Sequence, residues 1–142
     1  MGCNMHAHIE VKRFGKWGHY AAPHVVRDYK LFNLIAGVRA DDIANPQLPV
    51  CTHFELPEDM SIVSRTCLEQ ESGFGAHHKG WLDADEIREL QRRLYDIYPD
   101  VQRTGIDECD LEESIFHTYI AGNCIADHQG FDDVRLVFWF DN

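Results

Sequence analysis

The sequence predicts an α+β fold, a small mixed or antiparallel sheet of an N-terminal hairpin and a C-terminal strand, packed with three to four helices. Three observations carry that expectation. Residues 5–11 alternate, with Met5, Ala7, Ile9 and Val11 on one side and His6, His8 and Glu10 on the other, which is the period of a half-buried strand. Asp83 and Glu86 stand three residues apart just ahead of an apolar helical stripe, the spacing of a capping box. The run Val134–Phe140 is apolar and aromatic and of strand length.

The elements follow in order. After the first strand, Phe14-Gly15 supplies a turn and Trp17–Tyr20 reads as the returning strand, broken at Pro23. Asp28 is placed to cap a helix with Leu31, Leu34, Ile35 and Val38 on one face and Gly37 at its C-terminal end. From Arg39 to Pro57, three prolines (Pro46, Pro49, Pro57) and no helical period predict a loop, with a short extended piece near Cys51–Leu56. Ser61–Glu71 predicts a further helix despite its β-branched residues. The helix begun at Asp83 carries Ile87, Leu90, Leu94 and Ile97 on one stripe and ends before Pro99. Asp110 and Glu113 predict another, with Leu111, Ile115 and Tyr119 on one face and Gly122 at its end. No repeat, linker or low-complexity segment interrupts the chain, so one domain is expected over residues 1–142.

The composition excludes several classes of function. A net charge of −11 argues against a surface for duplex nucleic acid, which needs clustered cations. Arg88, Arg92 and Arg93 interleave with Glu86, Glu89 and Asp96, the pattern of a solvated helix face with i,i+4 pairs. No apolar run has the length of a membrane span. The N-terminal residues lack the basic and apolar regions of a secretion signal, so the expected compartment is the cytoplasm. Five cysteines, odd in number, widely spaced and without a C-x-x-C pair, predict reduced thiols rather than a disulfide framework. No nucleophile elbow and no phosphate-cradling glycine motif is present.

Nine histidines are the compositional outlier, and histidine is the side chain most used for metals and proton transfer. The densest constellation is Cys3, His6, His8 and Glu10. Alternate residues of a strand share a face roughly 6.6 Å apart, so His6 and His8 can converge on one ion. Cys3 would add a thiolate, and His77 or His78 would arrive from the glycine-rich loop Gly73–Gly80, just ahead of the capped helix. Zinc, or another transition metal, accepts such mixed ligands. With one position open, a bound water becomes a nucleophile and Glu10 its general base. The same alternation also describes the polar side of an amphipathic strand with no ion at all. Trp139 and Arg135, opposite in facing to Val134, Leu136, Phe138 and Phe140, mark a second sheet face that would bind a partner if exposed and that a helix more commonly covers.

The opening Met1-Gly2-Cys3-x-x-His6 with Ile9-Glu10-Val11 resembles the "MGCDIH" proteins, small products found mainly in phage and prophage genomes. The likeness runs on through Trp17-x-His19-Tyr20, Arg27-Asp28-Tyr29, Leu31-Phe32 and Ala36-Gly37-Val38-Arg39. It continues with Leu56-Pro57-Glu58-Asp59, His77, Trp81-Leu82 and the closing Val137-Phe138-Trp139-Phe140-Asp141-Asn142. The family pattern has Asp at the place of Asn4 and Ser at the place of His78. No activity is established for that family, so the resemblance implies an origin, and with it a host-cell setting, more than a mechanism. Two functions are therefore expected from different classes. One is a metalloprotein, a small hydrolase of phosphoesters or nucleotides. The other is an acidic, non-enzymatic inhibitor that occupies a basic surface on a host defence or nucleic-acid-processing protein.

Overall fold

The computed structural model describes residues 2–25, 27–97 and 131–142, the side chains of Tyr95 and Ile97 apart. The helix expected from Asp110, with His117, and the residues Cys109, Cys124 and His128 lie outside them. Strands β1 (Asn4–Arg13), β2 (Lys16–Ala21), β3 (His77–Leu82) and β4 (Asp133–Asp141) form one antiparallel sheet in the order β2-β1-β4-β3. Three α-helices accompany it among the described residues: α1 (Tyr29–Ala36), α2 (Ile62–Cys67) and α3 (Ala84–Ile97). The α+β architecture is the expected one.

Local chemistry explains where each element starts and stops. The β1–β2 hairpin closes on Phe14 and Gly15, both with positive φ (52° and 78°), which is what a two-residue turn matched to strand twist demands. The Asp28 carboxylate accepts the backbone N–H groups of Lys30 and Leu31 at the start of α1, and Gly37 ends it in the left-handed conformation at φ 75°. At α3 the capping box is reciprocal: Glu86 N–H donates to Asp83 Oδ1 (2.8 Å) and Asp83 N–H to Glu86 Oε1 (3.0 Å). Helix α2 is shorter than the Ser61–Glu71 reading, because the chain widens into a π-helical turn over Leu68–Ser72.

The expected alternation sorts the sheet into two faces. Met5, Ala7, Ile9 and Val11 join Val134, Leu136, Phe138 and Phe140 in the main core against Phe32 and Ile35 of α1 and Ile87, Leu90 and Leu94 of α3. Cys3 belongs to this core as well. The opposite face is not the solvated side that an amphipathic strand would give. Val137 and Trp139 pack there with Met60 and Leu68, so the chain around α2 covers it. Strand β3 is a departure from the reading of Gly73–Gly80 as a loop. Its register shifts between His77 and Gly80, and His78 takes φ 49° at that irregularity, which hides the strand from a period-two pattern.

Covering the second face buries charge. Glu10 and Arg135, direct cross-strand partners, are 0% and 3% exposed. Arg135 donates to Glu10 Oε1 from Nε (3.0 Å) and Nη2 (2.7 Å). Glu10 Oε2 accepts the Ser61 N–H (2.9 Å) and the Ser64 hydroxyl (2.7 Å). The Arg135 guanidinium also lies 4.0 Å over the Trp17 ring and donates to Asp59 Oδ1 at 2.9 Å. Burial pushes the Glu10 carboxyl upward, but the bonds from Ser61, Ser64 and Arg135 outweigh it and hold the group below its ordinary value.

Removing one partner of a buried pair strands the other's charge. Glu10→Gln is expected to cost about 3 kcal/mol in urea denaturation, whereas the double change Glu10→Leu/Arg135→Met is expected to cost less than the single one. A double change that costs more than Glu10→Gln, by the full cost of Arg135→Met measured alone, would mean the pair is not coupled.

Candidate functional site

The four expected ligands do not come together. Cys3 lies on the main-core side of β1, opposite His6 and His8, and burial raises its thiol above the ordinary value. His77 bonds elsewhere, with Nε2 3.0 Å from Asn142 Oδ1 and Nδ1 2.7 Å from His78 Nδ1. His6 and His8 do share a face, and both rings lie within 15° of the Trp139 indole plane, at 5.6 and 5.0 Å between centroids. Their nitrogens, however, are directed to different partners. His6 reaches Glu71 (Nδ1, 3.2 Å) and Asp141 (Nε2, 2.8 Å), while His8 Nδ1 meets His19 Nε2 at 3.0 Å. Glu10, expected as a general base, has both oxygens engaged by Arg135, Ser61 and Ser64 and faces no solvent.

Further features of this region are structural. Asp141 Oδ2 accepts the Ser72 hydroxyl (2.6 Å), whose oxygen accepts the Trp139 indole N–H (2.8 Å). That chain ties the π-helical turn to the end of β4. Asn4, standing where the resembled family has Asp, offers Oδ1 to Arg27 Nε (3.3 Å) and Nη2 (2.9 Å). The amide keeps the acceptor that an aspartate would have supplied, without its charge.

A different trio does converge. His53, Asp83 and Glu86 form, among the described residues, the one group of three metal-ligating side chains whose donor atoms all fall within 4.8 Å of one another. His53 Nε2 is 3.2 Å from Glu86 Oε1 and 3.4 Å from Asp83 Oδ2. Donor atoms about 2.0–2.2 Å from a tetrahedral zinc lie roughly 3.3–3.6 Å from one another. Of the two separations from His53, 3.4 Å falls within that range and 3.2 Å just below it.

Each of the three side chains is held in place by its neighbours. Residues 51–53 run alongside β3 through a bridge of His53 with Trp81, in which Trp81 N–H donates to the His53 carbonyl (3.0 Å). The imidazole stacks on the Trp81 indole at 3.9 Å and 11°. Glu86 Oε2 accepts the N–H (2.7 Å) and hydroxyl (2.9 Å) of Thr52, while Oε1 accepts the Asp83 N–H (3.0 Å) and also faces His53. Asp83 Oδ1 is occupied by the helix cap, leaving Oδ2 toward His53. Burial works against the Asp83 carboxylate, yet the Glu86 N–H and His53 hold it below its ordinary value, in the charged form a cation wants. Such outer partners fix ligand orientation. Nearby Cys51 is not a further ligand, because burial pushes its thiol up to about 11 and its sulfur rests near the His53 and Trp81 carbonyls at 3.3 and 3.5 Å.

Gly80 permits this close approach. A Cβ there would stand 2.7 Å from the His53 carbonyl oxygen, 2.9 Å from Phe138 Cζ and 3.2 Å from Cys51 Sγ. The Gly80→Ala variant is expected to lose about 1–3 kcal/mol and to shift the His53 imidazole resonances in NMR spectra. Unchanged resonances would show that the 51–53 segment does not depend on that gap.

His8 yields a pH prediction. Burial, and then the neighbouring His19, lower its pKa to about 4, with Glu10 opposing and His6 assisting. An unfolded imidazole takes its proton near 6.5, so between those values the unfolded chain binds more protons than the folded one. Stability is expected to fall as the pH drops below about 6.5 and to level off near 4, by about 3 kcal/mol at most. His8→Gln should flatten that part of a denaturation-against-pH profile; an unchanged slope would assign the loss to other groups.

No helix among the described residues is long and apolar enough to cross a membrane. A comparison with known proteins finds no match: no family model, no curated protein and no solved structure aligns with this chain.

Proposed function

We propose that this is a metal-binding protein whose ion, zinc or a related transition metal, is held by His53 Nε2, Asp83 Oδ2 and Glu86 Oε1. The observation that carries the reading is the pair of separations, 3.2 and 3.4 Å, between a histidine nitrogen and two carboxylate oxygens whose other atoms are already engaged. One histidine and two carboxylates form a hard, anionic set suited to zinc, manganese or iron more than to copper(I). Burial supports the same reading, since Glu86 is largely enclosed at 12% side-chain exposure while His53 and Asp83 remain partly open, at 35% and 44%.

Three protein ligands leave a fourth position to water, and zinc brings such a water's pKa to about 7. The reaction class that follows is metal-assisted hydrolysis. Phosphoesters and nucleotides are the substrates to screen first, because a bare metal edge takes an anionic oxygen directly. The phage resemblance fits such an enzyme acting inside a host cell. His6, His8, Cys3 and Glu10 have no part in this centre.

A competing arrangement uses the same atoms with a proton in place of the ion, His53 donating to both carboxylates. Equilibrium titration with zinc and cobalt(II), followed by elemental analysis after gel filtration, separates the two. About one ion per chain is expected, with the visible bands of tetrahedral cobalt and an affinity lower by roughly 100-fold or more in His53→Ala. His6→Ala/His8→Ala should bind as the parent does. Binding that survives His53→Ala, or no binding at micromolar metal, overturns the proposal.

A further inference from the structure

The loop that leads from α1 to the metal-binding segment encloses a second cleft, unrelated to the proposed metal site. Residues 43–51 fold back along α1, held there by three backbone donors. Gln47 N–H bonds to Asn33 Oδ1 (3.1 Å), Val50 N–H to the Leu34 carbonyl (2.7 Å) and Cys51 N–H to the Ile35 carbonyl (3.0 Å). Between loop and helix lies a cleft of about 260 Å³, lined by Lys30, Asn33, Leu34, Ile43, Asn45 and Gln47 among others.

Asn33 makes this cleft more than a surface dent. The residue is 2% exposed, and its side-chain oxygen is identified by the Gln47 N–H that it accepts. The Nδ2 group, with two donors, then has no hydrogen-bond partner among the described residues. A buried donor without a protein partner is rare in folded proteins and takes its partner from outside the chain, water or a bound group. Lys30 lines the same cleft, and its ammonium makes no ion pair or hydrogen bond among the described residues. Lys30 is exposed and is the one charged residue of the lining. The side-chain amides of Asn45 and Gln47 can turn to donate as well, while Leu34 and Ile43 supply apolar wall. A few convergent donors against an apolar wall make a small-ligand site.

We propose that this cleft binds a small monocarboxylate. Its carboxylate would accept from Asn33 Nδ2 and Lys30 Nζ, and its short aliphatic portion would lie on Leu34 and Ile43. The same chemistry is presented by a free short-chain acid and by the C-terminal carboxylate of a peptide. A charge-assisted bond from the ammonium favours the anion over its neutral amide, and the small volume of the cleft favours a short tail.

The test is a titration of the full chain, followed by backbone and side-chain amide NMR, with butyrate, butyramide, N-acetylalanine and inorganic phosphate as probes. Saturable shifts are expected at the Asn33 side-chain NH₂ and at the amides of 43–47 with butyrate or N-acetylalanine. Whichever of these binds more tightly identifies free acid or peptide terminus as the natural form. Affinity should fall about tenfold in Lys30→Gln. It should vanish in Asn33→Asp, which keeps the acceptor for Gln47 but replaces the donor with a negative oxygen. Should Asn33→Asp fail to fold, the exposed Lys30→Gln change decides alone. Butyramide binding as well as butyrate, phosphate matching butyrate, or no saturable shift with any probe overturns the proposal and leaves the cleft to water.

Discussion

The sheet is organised around one buried ion pair, Glu10 with Arg135. They are direct partners across the two central strands, so a slip of one residue would send both charges into the apolar core on the other face. Their hydrogen bonds reach beyond the sheet, Glu10 to Ser61 and Ser64 at the start of α2 and Arg135 to Asp59 just before it. That draws the α2 segment over the face bearing His8 and Trp139. The enclosure that lowers the His8 pKa is thus a consequence of how two charges are satisfied. A hydrophobic pair of similar volume would pack as well without specifying where α2 begins.

The His53–Asp83–Glu86 triangle has a simpler origin. A capping box needs Asp or Ser at its first position and Glu or Gln three residues on, because those lengths reach each other's N–H groups. Each carboxylate carries two oxygens, and the cap uses only one lone pair or oxygen of each. Helix α3 therefore starts by presenting two carboxylate oxygens outward, already ordered. One histidine on an adjacent extended segment turns that by-product of helix initiation into a candidate coordination site. Gly80 then supplies the gap through which the segment comes close enough.

Much of the fold was legible because it rests on local chemistry: the Phe14-Gly15 turn, the Asp28 and Asp83 caps, the Gly37 stop and the alternation of β1. The site was less legible, for identifiable reasons. Alternation tells which residues share a face but not whether that face is covered, so His8 and Glu10 read as a polar surface. The same rule already put Cys3 on the Met5 side, against its grouping with His6. His53 and Asp83 are separated by 30 residues and meet only because His53 bridges to β3, a strand whose irregular register and glycine disguised it. The available hints were the capping box at Asp83 and the extended reading around Cys51–Leu56, which nothing in the sequence alone connects.

The sheet order has a consequence for how the chain reaches this structure. Strand β4 comes last among the described elements, yet it lies between β1 and β3. Neither of those strands can complete its pairing until β4 arrives, and β1 pairs with it across more than a hundred intervening residues, as in Asn4 with Asp141. Closing so long a loop before any pairing rewards it makes for slow, late-committing folding. Until then the nascent chain holds only the hairpin and its helices, with the inner edge of β1 unpaired. That edge is where a chaperone, or a misplaced strand from another molecule, would find the growing chain.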